Sequence, residues 1–346
     1  MNRPATTLAS APPATTGRAV DLPRTISMDA ASALVGGELQ EVEQRLADLL
    51  QSSIAVIPEL SGQLAFAGGK RFRPLVALLA ARAAGFIDPV RITVAAVGEL
   101  LHTATLLHDD VIDSGEYRRG RPTARLQFGN GMAVLTGDFC LARGLQAIAY
   151  SGRISAVQTL ADAVTRMAEG EVAQLQVAGD ASLDRQRYYL VIDRKTAALI
   201  AWCASVGGLL DPRASAALHR YGLEIGYAFQ IADDVLDYTS DVDQTGKARG
   251  QDLRDGKLTL PLILACEADP GLRRRLLQLL DRGPPIDPDA AEDIIARVTT
   301  STGAEQAAVV AEEHARAAIA QLAALPASPA RDALAELARY VARRRS

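Results

Sequence analysis

The chain has 346 residues, of which 49% are hydrophobic and 23% charged, with a net charge of −4. That is enough apolar material for a substantial core in one large domain or two, and nothing in so mild an acidity points to a surface built for nucleic acid. Cys140, Cys203 and Cys266 lie far apart with no CxxC pair, which reads as buried free thiols in a reducing, cytoplasmic setting. His102, His108, His219 and His314 form no zinc pattern, and no apolar run approaches the roughly 20 residues that span a bilayer.

Residues 1–25 are rich in Ala, Pro and Thr and lack an apolar signal core, so a disordered tail is expected. Their arginines, with no acid before Asp21, leave an organelle transit peptide as the alternative. Residues 26–346 read as a single all-helical domain. The stretch 29–50 places Leu34, Val42, Leu46 and Leu49 on one 3.6-period stripe. Further helices are expected at 52–66, 74–85, 89–113, 121–128, 131–150, 153–179, 184–209, 212–239, 258–268, 270–281, 288–301, 303–323 and 329–345. Several begin with Asp-Pro, at Asp88, Asp211, Asp269 and Asp287, or with Ser328-Pro329. In these pairs the side-chain oxygen accepts an orphan backbone N–H, and proline gives up one that had no partner. Loops fall at 67–73, 114–120, 240–257 and 282–287. No strand pattern stands out, and aromatic content is 4%.

One motif occurs twice. In "LLHDDVIDSGEYRRG" Asp109, Asp110 and Asp113 follow an apolar helical run, and in "FQIADDVLDY" Asp233, Asp234 and Asp237 repeat the DDxxD spacing. Residues i and i+4 share a helix face. Two carboxylates about 4 Å apart repel by ~4 kcal/mol at an effective dielectric of about 20. A single DDxxD is most simply a solvated acidic face. Two, each ending an apolar helix, ask for a hard divalent cation such as Mg²⁺, which takes oxygen ligands and shares them with phosphates.

Phosphate would bring basic residues with it. "GGKRFRP" sets Lys70, Arg71 and Arg73 on a Gly-opened turn before a helix, where backbone N–H groups also favour anions. Arg118 and Arg119 follow the first aspartate motif, and arginine forks match phosphate oxygens. Lys195-Thr196 interrupts an apolar helix, where a snorkelling lysine is the plainer alternative. Residues 245–261 form a Gly-punctuated stretch with Lys247 and Lys257, suited to a flap over a phosphate site or to an ordinary surface loop. His102 sits two turns before Asp109, and Gln230 one turn before Asp234.

The ordered set GGKRFRP, HTATLLHDDVIDSGEYRRGRPT, FGN, GDF, GE..QL, KTA, FQIADDVLDY and GK..GQDLRDGKLTLP resembles the trans-isoprenyl diphosphate synthases, over about residues 30 to 265. The resemblance implies a single helical bundle around a deep apolar central cavity, the isoprenoid synthase fold, as a homodimer. It implies that Asp109, Asp110, Asp113, Asp233, Asp234 and Asp237 hold Mg²⁺, three ions in the substrate complex, on an allylic diphosphate. It implies that Lys70, Arg73, His102 and Arg119 hold isopentenyl diphosphate. Arg118, Lys195, Thr196, Gln230, Lys247 and Lys257 would contact the allylic substrate. Phe72 stands where an aliphatic residue is more usual, and Arg125 where asparagine is; neither removes a charged ligand.

The same resemblance places a product tunnel along Leu101, Ala104 and Thr105. Small residues there fit a long-chain enzyme making an all-trans product of about C35–C50, near C40, for a quinone side chain, with a peripheral membrane contact for product release. Its rivals are a C15–C20 synthase, a class I terpene cyclase and a non-catalytic subunit. A cyclase needs no second basic cluster, and a non-catalytic subunit typically loses one aspartate motif.

Overall fold

The structure is a computed structural model that describes residues 28–118, 120–177, 183–209, 211–240, 249–281 and 286–344. The expected tail at 1–25, together with Arg119 and Lys247, lies outside the described residues.

Helices dominate, as expected: α1 (Met28–Leu34), α2 (Gly36–Leu49), α3 (Val56–Ala65), α4 (Phe72–Ala83), α5 (Val90–Ile112), α6 (Ala124–Phe128), α7 (Asn130–Ala149), α8 (Ile154–Val177), α9 (Arg185–Ile192), α10 (Ala198–Ser205), α11 (Pro212–Thr239), α12 (Gln251–Arg254), α13 (Leu260–Ala268), α14 (Pro270–Leu280), α15 (Pro288–Thr300), α16 (Gly303–Gln321) and α17 (Pro329–Arg343). The Asp-Pro and Ser-Pro starts work by the expected mechanism. Asp211, Asp269, Asp287 and Ser328 each accept a first-turn backbone N–H, with proline at the next position; Asp88 accepts from the Val90 N–H at 2.9 Å.

Several boundaries differ from the sequence reading. The helix expected at 29–50 breaks after Leu34. α4 starts two residues early, because Arg71 takes a left-handed backbone (φ 46°) and turns the chain into the helix there. Arg121 and Pro122 are not helical; they pair antiparallel with Tyr117 and Arg118 as a two-residue ribbon, and α6 begins only after Thr123 caps it. The helix expected at 184–209 is interrupted by a π turn, Asp193–Ala197. Within the loop expected at 240–257, Gln251–Arg254 form a short helical turn.

α5 runs through the middle, flanked by α2, α4 and α7, and α11 packs along α10 and α16. Among the described helices, α5 alone has the length and apolarity of a membrane span, which the sequence reading had not credited to any segment. Its apolar residues, such as Val97, Leu100, Leu101 and Leu107, are almost fully buried inside the bundle, so the greasy face is a core face. Gly222 and Gly226 let α11 come close to its neighbour: a Cβ on Gly226 would lie 2.6 Å from the Ala197 Cα, and one on Gly222 2.4 Å from the Ala201 Cα. The three cysteines are free and buried, as expected.

Candidate active site

Both aspartate motifs sit where helices end. α5 closes at Ile112 with Asp113 at its C-cap, and Asp233, Asp234 and Asp237 occupy the last two turns of α11. A helix C-terminus already carries partial negative charge, so two such ends stacked with carboxylates need cations nearby. They open into one cavity of ≈ 830 Å³, lined by Asp109, Asp110, Asp113, Asp234 and Asp237 together with Arg118, Lys195, Thr196, Gln230 and Lys257.

Within this cavity the charges are unevenly matched. Burial pushes the Asp109 carboxyl up, against the pull of Lys195, with Asp113 pushing the same way as burial. Asp110 is 2% exposed. Its Oδ1 accepts both Arg118 Nε at 2.9 Å and Nη2 at 2.8 Å, while its buried Oδ2 has no hydrogen-bond partner. Asp234 is buried and held from two sides: Tyr188 donates its hydroxyl to Oδ2 at 2.6 Å, and Gln230 donates Nε2 to Oδ1 at 2.9 Å. Thr196 completes the chain by donating to Gln230 Oε1 at 2.8 Å. Burial, reinforced by the Asp252 charge, pushes Asp234 well above the usual carboxylate range. Asp237 accepts the backbone N–H groups of Gln251 at 3.1 Å and Asp252 at 3.2 Å, which ties the short α12 to the end of α11.

Two lysines reach across. Lys195 lies 3.5 Å from Asp109 Oδ2 and 2.8 Å from Glu171. Lys257 lies 3.2 Å from Asp113 and 3.4 Å from Asp255; burial works against its charge, but Asp113, Asp252 and Asp255 outweigh that and raise its pKa.

Asp233 departs from the expected set. Its side chain turns out of the cavity and pairs with Arg344, because it sits about 100° around the helix from Asp234. The isopentenyl set Lys70, Arg73 and His102 likewise does not line the cavity with the allylic set. Lys70 donates to the Tyr340 hydroxyl. Burial pulls the Arg73 pKa down, against Glu99 and Asp233, and its buried Nε has no partner. His102 is half-buried on α5. Arg71 leaves the phosphate-facing group altogether: it is fixed by Glu43, Glu99 (3.2 Å) and the Ala65 carbonyl (2.6 Å), so it braces the turn rather than offering a free cation. Phe72 stacks on Phe229 at 5.0 Å, with the Arg344 guanidinium 4.0 Å from the Phe229 ring. Arg125 donates to the Ser114 carbonyl at 3.0 Å and pins the loop after the first motif. Leu101 and Ala104 are buried in the core and Thr105 is half-buried; the cavity meets α5 only at its aspartates.

Three residues were missed. Tyr188 sits seven residues before Lys195, the same two-turn spacing that drew attention to His102. Glu171 and Asp252 lay inside the quoted motifs without a role. Asp252 is buried deeply enough that its carboxyl is pushed up to about 7, first by burial and then by Asp237; Glu171 is raised by burial and Asp109.

The donor set fits a hard divalent cation. It is all oxygen, one buried carboxylate oxygen is orphaned, and four acids are held above their ordinary range by burial and then by the charge of neighbouring acids. Among the described residues no three acids converge into a ready-made cage, which suits an ion that completes its shell with water and phosphate oxygens.

Residues 55–298 match the family model for polyprenyl synthetase. The chain belongs to that family. It is 36% identical over 323 residues to octaprenyl diphosphate synthase of Escherichia coli strain K12, covering 92% of this chain and 99% of that one. Nonaprenyl diphosphate synthase of Mycobacterium tuberculosis is 36% identical, over 96% of this chain and 98% of its own length. Among solved structures, a polyprenyl synthase from Caulobacter crescentus, complexed with calcium and isoprenyl diphosphate, superposes with a TM-score of 0.88 at 37% identity, covering 94% of this chain and 100% of that one. The all-α isoprenoid synthase fold and the long-chain resemblance read from the sequence are therefore shown, and this polyprenyl synthetase is a prenyltransferase that elongates prenyl chains.

Proposed function

We propose that this enzyme is an Mg²⁺-dependent, all-trans polyprenyl diphosphate synthase. It condenses isopentenyl diphosphate head-to-tail onto an allylic diphosphate and makes a product of about C35–C50, near C40, that serves as a quinone side chain. The observation that carries this reading is two carboxylate-bearing helix ends lining one cavity, with Lys195 and Lys257 in the same cavity paired to Asp109 and Asp113 of the first motif, and a separate basic group, Lys70 and Arg73, outside it. One site suits a leaving diphosphate and the other a second phosphate-bearing substrate.

In this reading Asp109, Asp110, Asp113, Asp234 and Asp237 hold the ions, three of them in the substrate complex; Asp233 joins once it leaves Arg344. Bound Mg²⁺ supplies neutralisation of the diphosphate charge as the allylic C–O bond ionises. Lys195, Lys257 and Arg118 add fixed positive charge at the same oxygens, and Thr196 and Gln230 contact the same allylic diphosphate. Lys247 and Arg119 belong to this proposal with the allylic and isopentenyl groups respectively. Lys70, Arg73 and His102 hold isopentenyl diphosphate so that its double bond meets the cation, and positioning makes the step effectively unimolecular. The departed diphosphate takes the proton that is then lost. Leu258, Ile192 and Ile263 line the cavity and keep water from quenching the cation. The growing chain would pass along α5 at Leu101, Ala104 and Thr105. A homodimer, a cytoplasmic location and a peripheral membrane contact for release complete the proposal.

The test is incubation of the purified chain with Mg²⁺, labelled isopentenyl diphosphate and a series of allylic primers, with products sized after dephosphorylation. Incorporation into C35–C50 chains is expected. Products ending at C15–C20 would refute the chain length, and cyclised primer without incorporation would refute the reaction.

A further inference from the structure

The chemistry above leaves a polar belt behind the cavity without a role. The π turn Asp193–Ala197 closes through the Ala198 N–H to the Asp193 carbonyl. A π turn inserts one residue into a helix and so rotates every later side chain about the axis; Lys195 and Thr196 lie inside this one. Its first three residues are all charged, and α8 matches each in order. Arg166 donates to Asp193 Oδ2 at 2.6 Å, Glu169 pairs with Arg194 at 2.9 Å, and Glu171 pairs with Lys195 at 2.8 Å. Gly170 makes that register tight: a Cβ there would lie 2.6 Å from the Lys195 nitrogen and 2.8 Å from the Arg194 Cβ. The other Asp193 oxygen, Oδ1, accepts the Tyr227 hydroxyl at 2.6 Å. The Tyr227 ring is held edge-on by Tyr189 and His314, and His314 is itself fixed by Glu224 at 2.6 Å and Tyr189 at 3.1 Å. Tyr227 precedes by three positions Gln230, the acceptor for Thr196.

We propose that Asp193, clamped between Tyr227 and Arg166, is a positioning residue that sets the rotational register of the π turn and thereby presents Lys195 and Thr196 to the allylic diphosphate. The proposal rests on reading the cavity as a diphosphate site. Were the turn to relax into regular α-helix, one residue of register would be lost and the side chains would swing by about 100°. Lys195 would then leave Asp109, and Thr196 would leave Gln230. The Arg194–Glu169 pair is too exposed to prevent this alone. The bonds from Tyr227 and Arg166 to Asp193 are partly buried and charge-assisted.

Tyr227→Phe and Asp193→Asn test this in the full chain, with Tyr189→Phe as a control that loosens His314 without touching Asp193. The two test variants should raise KM for the allylic primer about fivefold, as for the loss of one hydrogen bond, and leave KM for isopentenyl diphosphate unchanged. The double variant should be no worse than the poorer single one, because both break one clamp. Tyr189→Phe should change neither KM. Affinity for inorganic diphosphate in the presence of Mg²⁺ should fall by the same factor in the two test variants, and this readout does not depend on elongation. An unchanged allylic KM and diphosphate affinity, or equal rises in both KM values, would overturn the positioning role. If the unaltered chain incorporates no isopentenyl diphosphate, the prenyl reading falls, and diphosphate affinity still decides the role of Asp193.

Discussion

Asp234 is a carboxylate at 2% exposure, enclosed by Tyr188 and Gln230 and held above its ordinary pKa by burial and by Asp252. Such a group is costly to keep charged unless a cation arrives. Asp234→Asn keeps the shape and the bond from Tyr188 but removes the charge. Its kcat should fall on the order of 10²–10³-fold, the size of losing one preorganised electrostatic partner, while the folded chain keeps its thermal midpoint to within a few degrees. A rate within threefold of the unaltered enzyme in a single-turnover assay would show that Asp234 is not part of the ion site. Ala104 poses a different residue-scale question. It is 4% exposed, so Ala104→Phe must push aside packed neighbours at a cost of about 1–3 kcal/mol. If the product chain runs there, the folded fraction should release products several isoprene units shorter, seen by chromatography after dephosphorylation. An unchanged product spectrum would move the tunnel elsewhere.

At the scale of elements, the site depends on how closely α11 approaches the π turn. Gly226 permits that approach, and a methyl group there would meet the Ala197 Cα and Cβ at 2.6 and 2.7 Å. Gly226→Ala should therefore destabilise the fold by about 1–3 kcal/mol in urea unfolding. It should also weaken the primer more than isopentenyl diphosphate, because the displaced backbone is the one that carries Thr196. Equal stability would mean that the helices slide apart without cost. The same elements mark what could be read in the sequence. Helix starts at Asp211, Asp269 and Asp287 were legible because capping is local: one side chain and the N–H groups beside it decide the matter. DDxxD was legible because like charges at i and i+4 need an explanation wherever they occur. The π turn was not, since its extra residue is held in place by α8 and α11, which no window around Lys195 contains. Asp233 was read with its motif and not with its angle on the helix, and its partner Arg344 is far away in sequence. Arg71 looked like a phosphate ligand beside Lys70 until Glu43 and Glu99, both distant in sequence, were seen to hold it.

For the molecule as a whole, the cavity joins helices from both halves of the chain, so whatever neutralises it also ties those halves together. Asp109, Asp110 and Asp113 come from α5, Asp234 and Asp237 from α11, and Asp252 from α12. Against them stand Arg118, Arg187, Lys195 and Lys257, and the acids lining the cavity are the more numerous. Neither ligand should bind well alone. A divalent ion finds no cage of three acids among the described residues, and a free diphosphate meets a cavity whose net charge repels it. Together each supplies what the other lacks: the ion gains phosphate oxygens, and the anion gains positive charge. Thermal unfolding should show this coupling directly. Mg²⁺ alone and inorganic diphosphate alone should each move the midpoint slightly. The two together should move it by clearly more than the sum, approaching the ~2.7 kcal/mol expected when ligand is about 100 times its Kd. Chelation of the metal should return the midpoint to that of diphosphate alone. Shifts that simply add would mean that metal and diphosphate occupy independent places. The facing helix ends could not then be the shared site on which the proposed chemistry depends.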